Sequence, residues 1–174
     1  MLGLKRGIVK LASNHEKWGE LFENERKSLR KMLDDEVLVE HVGSTSISGV
    51  IAKPIIDIII GYPDNALKEK TFKALGQMGY EDRGEQNIPG QQRLFVKGPE
   101  HNRKFYIHVL NKNHERWNSY LLFRDFLRQN KDARDAYNAL KKELIKKYAD
   151  NREQYTKGKE EFINDITTKA KKLS

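Results

Sequence analysis

A Gly-Ser-Thr turn, Gly43, Ser44 and Thr45, stands between two apolar runs, and the second run carries a single acid, Asp57. Residue types at this spacing can bind a metal-bound polyphosphate. Glycine lets the backbone approach a phosphate, the Ser44 and Thr45 hydroxyls donate, and a carboxylate can hold Mg²⁺. A Gly-Ser pair alone is also an ordinary strand-ending turn. Asp57 changes the balance, because a carboxylate inside the apolar run 55–60 needs a metal, a cation or an exposed strand end to offset its burial. Lys53 is the nearest cation along the chain, so a structural Lys53–Asp57 pair is the competing reading. His108, in Ile107-His108-Val109, is a second polar residue between apolar ones. A lone histidine on a strand is more often satisfied by a hydrogen bond than by a ligand. If strand 103–110 lies beside strand 55–60, however, His108 and Asp57 face one cleft. Arg93, Arg103 and Lys104 would then line its rim and neutralise phosphates, and Tyr106 would either stack on a base or cover the sheet.

The elements that must position these residues follow from periodicity. Residues 15–33 predict a helix with Asn14 at its N-cap and Trp18, Leu21, Phe22, Leu29 and Met32 near one face. Residues 37–42 alternate as a strand, and 43–54 form a loop with room for one helical turn. The unbroken apolar run 55–60 suits a strand buried on both faces. Asn65 can cap a helix reaching residue 78. A β-rich stretch follows: strand 80–82, a polar loop 83–90, and strands 93–97 and 103–110 joined through Gly98-Pro99 as a hairpin. In the last strand Phe105, Ile107 and Val109 face one way, and Lys104, Tyr106, His108 and Leu110 the other. Three helices are predicted over 115–128, 132–148 and 152–172, and a short edge strand near Val9 and Leu11. Arg124 lies in the apolar stretch 121–127 and turns toward an anion or an internal acid, with a structural ion pair preferred.

The expected fold class is α+β: a mixed sheet flanked by helices, followed by a C-terminal helical segment packed on it. One domain is expected over residues 1–174, with the sheet in about 1–112 and the helices in about 113–174. A chain of this size can bury a real core. With no cysteine, disulfides, a thiol nucleophile and Cys-ligated zinc are excluded. No segment has the apolar length to cross a bilayer, so no membrane partner is expected. Lys5, Arg6 and Lys10 interrupt the start of the chain, so no secretory leader is expected and a cytoplasmic location follows by default. The net charge of +8 is confined to residues 101–174, where 18 Lys/Arg face 10 Asp/Glu; residues 1–100 hold 15 of each. That excess can attract nucleotides or acidic partners, or form a solvated helical face. No RNA-binding aromatic motif or DNA-binding signature accompanies it, so nucleic acid ranks below a small-molecule partner.

The chain resembles the GrpB family (glutamate-rich protein B) over nearly its whole length. The resemblance rests on Trp18 and Phe22, on Glu40-His-Val-Gly-Ser-Thr-Ser46, and on Ala52-Lys-Pro-Ile-Ile-Asp-Ile58. It continues through Arg93-Leu-Phe, the His108-Val109 strand end, Leu122-Phe-Arg-Asp-Phe-Leu-Arg128, Leu140-Lys141, and the segment from Tyr155 to Ile163 with Lys159 and Phe162. This chain departs from the family at Ser48, where proline is usual, and at Phe105 and Tyr106, where histidines are common. The family is in turn similar to the nucleotidyltransferase superfamily, with its DNA polymerase β-like fold. That fold follows a Gly-Ser turn with an acid-x-acid pair on the next strand and a third acid on a later strand. Gly43-Ser44 match the turn and Asp57 the second acid, while Ile55 replaces the first and His108 falls near the third. Two of three carboxylates are absent, so the usual two-metal reaction is not expected.

The resemblance implies a nucleoside triphosphate or other phosphate ester bound with Mg²⁺ at Gly43, Ser44, Thr45, Asp57 and His108. His108 would be a second metal ligand or a general base, with Lys53, Arg93, Arg103 and Lys159 on phosphate charge. The alternative is a non-catalytic module binding a nucleotide or a coenzyme A-related metabolite.

Overall fold

The computed structural model describes residues 11–85 and 92–173. Helix α1 (His15–Arg30) leads into strand β1 (Leu38–Val42), a single 3-10 turn (Ser44–Ser46) and strand β2 (Ile56–Tyr62). Helix α2 (Asn65–Gln77) and strands β3 (Glu81–Glu85), β4 (Gln92–Lys97) and β5 (Phe105–Asn111) follow. Helices α3 (Glu115–Gln129), α4 (Lys131–Tyr148), α5 (Arg152–Lys157) and α6 (Glu160–Leu173) close the described chain.

The five strands form one mixed sheet in the order β1-β2-β5-β4-β3. β2 and β5 run parallel at its centre, and the other neighbours are antiparallel. Side chains alternate across a strand, so β2 and β5 each serve two environments. Ile56, Ile58 and Ile60 join Phe105, Ile107 and Val109 in the main core, under Trp18, Phe22 and Leu29 of α1 and Leu67, Ala74 and Leu75 of α2. On the other face Ile59, Val42 and Leu110 pack beneath Trp117 of α3. Ile47 and Val50, just after the turn, are clamped by Phe123, Leu127, Tyr137 and Ile166, which fixes the turn to the helical layer.

Several local expectations shift. The side-chain cap of α2 is Asp64, not Asn65: its carboxylate accepts from the Leu67 amide at 2.9 Å. Met32 is 46% exposed and does not share the buried face of α1. β3 continues through Glu85 past a bulge, so 83–85 belong to a strand, while 86–90 of the expected loop lie outside the described residues. The connection from β4 to β5 is longer than a hairpin turn and holds a 3-10 turn (Glu100–Asn102). Val9 lies outside the described residues, and Ala12 makes one bridge to Ala52 in place of a strand. The helix expected over 152–172 breaks at Gly158. A Cβ there would sit 2.4 Å from Leu144 Cδ2, so the chain passes close to α4 and a larger residue would require that leucine to move. The break turns Lys159 back toward the sheet.

Candidate active-site cleft

Val42 pairs with Asp57 across β1 and β2, which sets the Gly43 turn directly beside the acid. Gly43 has φ +69, and a Cβ on it would lie 2.7 Å from Asp57 Oδ2. Both the left-handed backbone and the adjoining carboxylate therefore demand glycine. The turn is tied by the Ser46 hydroxyl, which donates to the Gly43 carbonyl at 2.7 Å. The Ser44 hydroxyl is hydrogen-bonded to Tyr137 of α4; burial pushes the Tyr137 phenol up to about 12. Thr45 turns the other way: it is buried, with its hydroxyl 3.0 Å from His41 Nε2.

On the neighbouring parallel strand, Tyr106 is the register partner of Asp57, and His108 lies two residues further along the same face. The juxtaposition of Asp57 and His108 thus follows from the β2–β5 pairing. Gln92 Nε2 donates to His108 Nδ1 at 2.9 Å, and the Tyr120 hydroxyl donates to Gln92 Oε1 at 3.3 Å, with the Tyr120 ring stacked on the imidazole. Burial lowers the His108 pKa, Asp57 opposes that and Arg116 adds to it, so the ring is neutral. In this arrangement Nδ1 accepts from Gln92 and Nε2 carries the proton.

Cations close the cleft from the helical segment. Arg152 Nη1 donates to the Tyr106 hydroxyl at 2.9 Å, and its guanidinium lies 4.9 Å from that ring. The Lys53 and Lys159 ammonium groups lie 5.7 and 4.9 Å from the centre of the Tyr155 ring. Burial, then Arg152 and Lys159, lower Lys53 to about 7, and the attraction of Asp57 is the smallest contribution. A simple Lys53–Asp57 pair therefore does not describe the site. Lys159 falls to about 8 by burial and Arg152, opposed by Asp57. Behind them Lys141 donates to the Ile51 carbonyl and sits over Tyr137; burial and Lys159 lower it to about 6.

The remaining sequence candidates do not converge here. Arg93 lies on the opposite face of β4, bonded to Asp82 and packed on Phe72, because its register partner is Val109 of the main core. Arg103 precedes β5 and donates to Glu81 and to the Gly98 carbonyl. Arg124 forms the expected structural ion pair, with Glu40 and Asp125. Reading the sequence missed Arg152, Tyr120, Gln92, Tyr137 and Tyr155. Only Lys141 left a signal, as a charge within the apolar stripe of α4.

The donor set fits one hard cation and no more. Mg²⁺ takes oxygen ligands and is commonly held by one or two carboxylates with substrate phosphates and water. Asp57 can supply that carboxylate, while His108 Nδ1 is engaged by Gln92. Among the described residues no group of three or more His, Asp or Glu side chains is arranged to hold a metal ion, and no helix is long and apolar enough to cross a membrane.

Residues 8–169 match the family model described as GrpB protein. The chain is 33% identical over 165 residues to the UPF0157 protein YqkA of Bacillus subtilis, covering 94% of this chain and 48% of that protein. It thus spans about half the length of that relative. The crystal structure of the conserved protein GrpB from Enterococcus faecalis superposes with a TM-score of 0.83 at 32% identity, over 94% of this chain and 98% of that one. The Cid1 poly(U) polymerase, in a structure with Mg 3'-dATP bound, matches with a TM-score of 0.56 at 12% identity, over 85% of this chain and 49% of that one. The last likeness concerns the fold, which is nucleotidyltransferase-like.

Proposed function

The chain belongs to the GrpB family, and from the geometry of its cleft we propose that it binds a nucleoside triphosphate or related phosphate ester between the Gly43-Ser44 turn and the Lys53–Lys159–Arg152 group. One observation carries this reading. Lys53, Lys159 and Arg152 converge beside Asp57, and each lysine is held well below its usual pKa first by burial and further by repulsion from Arg152, while Asp57 opposes the shift. Such an excess of positive charge is relieved by a polyanion. The Gly43 backbone can approach a phosphate oxygen, Ser44 is oriented by Tyr137, and Lys53, Lys159 and Arg152 face the phosphate charge. Tyr106 lies beside Asp57, and the buried Tyr155 ring supports Lys53 and Lys159. When bound, Mg²⁺ on Asp57 would neutralise phosphate oxygens and orient them.

A second reading, binding of a nucleotide or coenzyme A-related metabolite without group transfer, is favoured by Ile55. It is 3% exposed and occupies the place of an acid that a two-metal reaction needs. Thermal melting against nucleoside triphosphates and coenzyme A, with and without Mg²⁺, separates the two, because a ligand of the folded state raises Tm. A Mg²⁺-dependent shift with a triphosphate, lost in Asp57→Asn, supports the nucleotidyltransferase-like reading. A Mg²⁺-independent shift lost only in Lys159→Gln supports the binding module. No shift with any of these compounds overturns both.

A further inference from the structure

A cavity of about 520 Å³ opens along β1, the outermost strand of the sheet among the described residues, between α1 and α3. Gly43 and Ser44 face Asp57 and Tyr137, whereas Thr45 and Ser46 of the same turn line this cavity. Its floor is His41, stacked on Phe22 with ring centroids 4.6 Å apart and held by Thr45. One wall is two guanidinium groups from successive turns of α3. Arg124 donates to the His41 carbonyl at 3.1 Å while paired with Glu40 and Asp125. Arg128 donates through Nε and Nη2 to the Ser46 carbonyl at 3.1 and 2.8 Å, and its Nη1 lies 3.6 Å from Asp125. On the opposite wall Arg26 is paired with Glu23 at 2.7 Å.

The charge is unevenly compensated. Arg26 has Glu23, and Arg124 holds Glu40 and the shorter bonds to Asp125. Arg128 rests on a neutral carbonyl and a longer contact to an acid already shared. Burial, followed by repulsion from Arg124, lowers its pKa. At His41, burial and then Arg128, Arg124 and His15 hold the ring to about 3, so the charges that act most on the floor are cationic. A guanidinium has five donors in a planar fork suited to carboxylate or phosphate. The volume lies in the range of small-molecule sites.

We propose that this cavity is a second ligand site, distinct from the Asp57 cleft, for a small molecule whose carboxylate or phosphate group docks on Arg128 beside Arg124, over the His41–Phe22 stack. The site does not depend on the reading of the Asp57 cleft, and its test separates the two.

The test follows the His41 ring resonances of the full chain by NMR while inorganic phosphate, and separately acetate, is titrated in at constant ionic strength. A saturable shift of the His41 resonances at neutral pH, where both probes are anions, is expected for the favoured anion. Response to phosphate alone assigns the site to phosphate esters, and response to acetate to carboxylates. Arg128→Gln should abolish the response. Arg128→Lys, which keeps charge but loses the fork, should weaken it. Lys159→Gln should leave it intact. No saturable response to either anion overturns the proposal, as does a response that survives Arg128→Gln in protein of unchanged Tm. A response lost in Lys159→Gln overturns it too, since the anion would then be in the Asp57 cleft.

Discussion

The two faces of strands β2 and β5 are built from the same stretch of chain and have opposite character. On one, Ile56, Ile58, Ile60, Ile107 and Val109 are 0–1% exposed and packed against α1 and α2. On the other, Asp57, Tyr106 and His108 interrupt the apolar surface beside Ile59 and Leu110, and helices α3 to α6 bring Arg152, Lys159 and three tyrosines over them. The first face contributes stability through burial of apolar area. The second contains desolvated cations, whose burial opposes folding. On the proposed reading the contrast separates residues that hold the fold from residues that would meet a ligand, and substitutions should fall on one side or the other.

The largest effect is expected on the packed face. Ile58→Ala should lower the unfolding free energy by about 2–5 kcal/mol in urea denaturation, through lost transfer energy and a cavity that cannot fully collapse. Asp57→Asn should cost far less; an equal loss would mean that Asp57 belongs to the structural face. Gly43→Ala should cost about 1–3 kcal/mol through the strained φ, and should also displace the Asp57 carboxylate, so phosphate-ester binding falls with stability. Binding retained at full strength in that variant would remove the turn from the site. Lys159→Gln should weaken a nucleoside triphosphate about tenfold, ~1.4 kcal/mol by calorimetry, without lowering Tm of the unliganded protein. A lower Tm there would show that the cation is structural.

The pH dependence provides a further test, and its sign discriminates. Lys141, Lys53 and Lys159 are lowered to about 6, 7 and 8, from 10.5 in the unfolded chain. In that window the unfolded state binds more protons, so these groups make stability rise as pH increases from about 6 toward 10. Urea midpoints across that range should climb, and flat or falling midpoints would mean the lysines are compensated. Binding of a polyphosphate near pH 8 should in turn take up protons, measurable as a dependence of calorimetric heat on the buffer's ionisation enthalpy.

The central pair of the site was legible because it is local. Alternation in 103–110 put Tyr106 and His108 on the face opposite Ile107, and the acid within 55–60 demanded an unusual environment. Once β2 and β5 pair in parallel, both observations concern one surface. Arg93 shows the limit. It is near in sequence to the same strands, but one step of alternation sets it on the far face with Asp82 and Phe72. Arg152 shows the converse: it looks like one more solvated charge in a basic segment and yet bonds Tyr106, 46 residues away along the chain.

The amino-acid order by itself determined most of the elements and their faces, because periods of 2 and 3.6 residues are properties of neighbouring backbone and need no partner. It also determined that Gly43 ends a strand beside hydroxyl donors and that Asp57 is the acid of its strand. Only the tertiary structure decided which charges meet. Lys53, Lys159 and Arg152 gather around Tyr106 and Tyr155 because the last helical stretch is interrupted between Lys157 and Glu160, where Gly158 packs on Leu144 of α4, and because Ile47 and Val50 lock the turn under α3, α4 and α6. Desolvation and the field of neighbouring cations follow from that packing, and they set the protonation of each lysine.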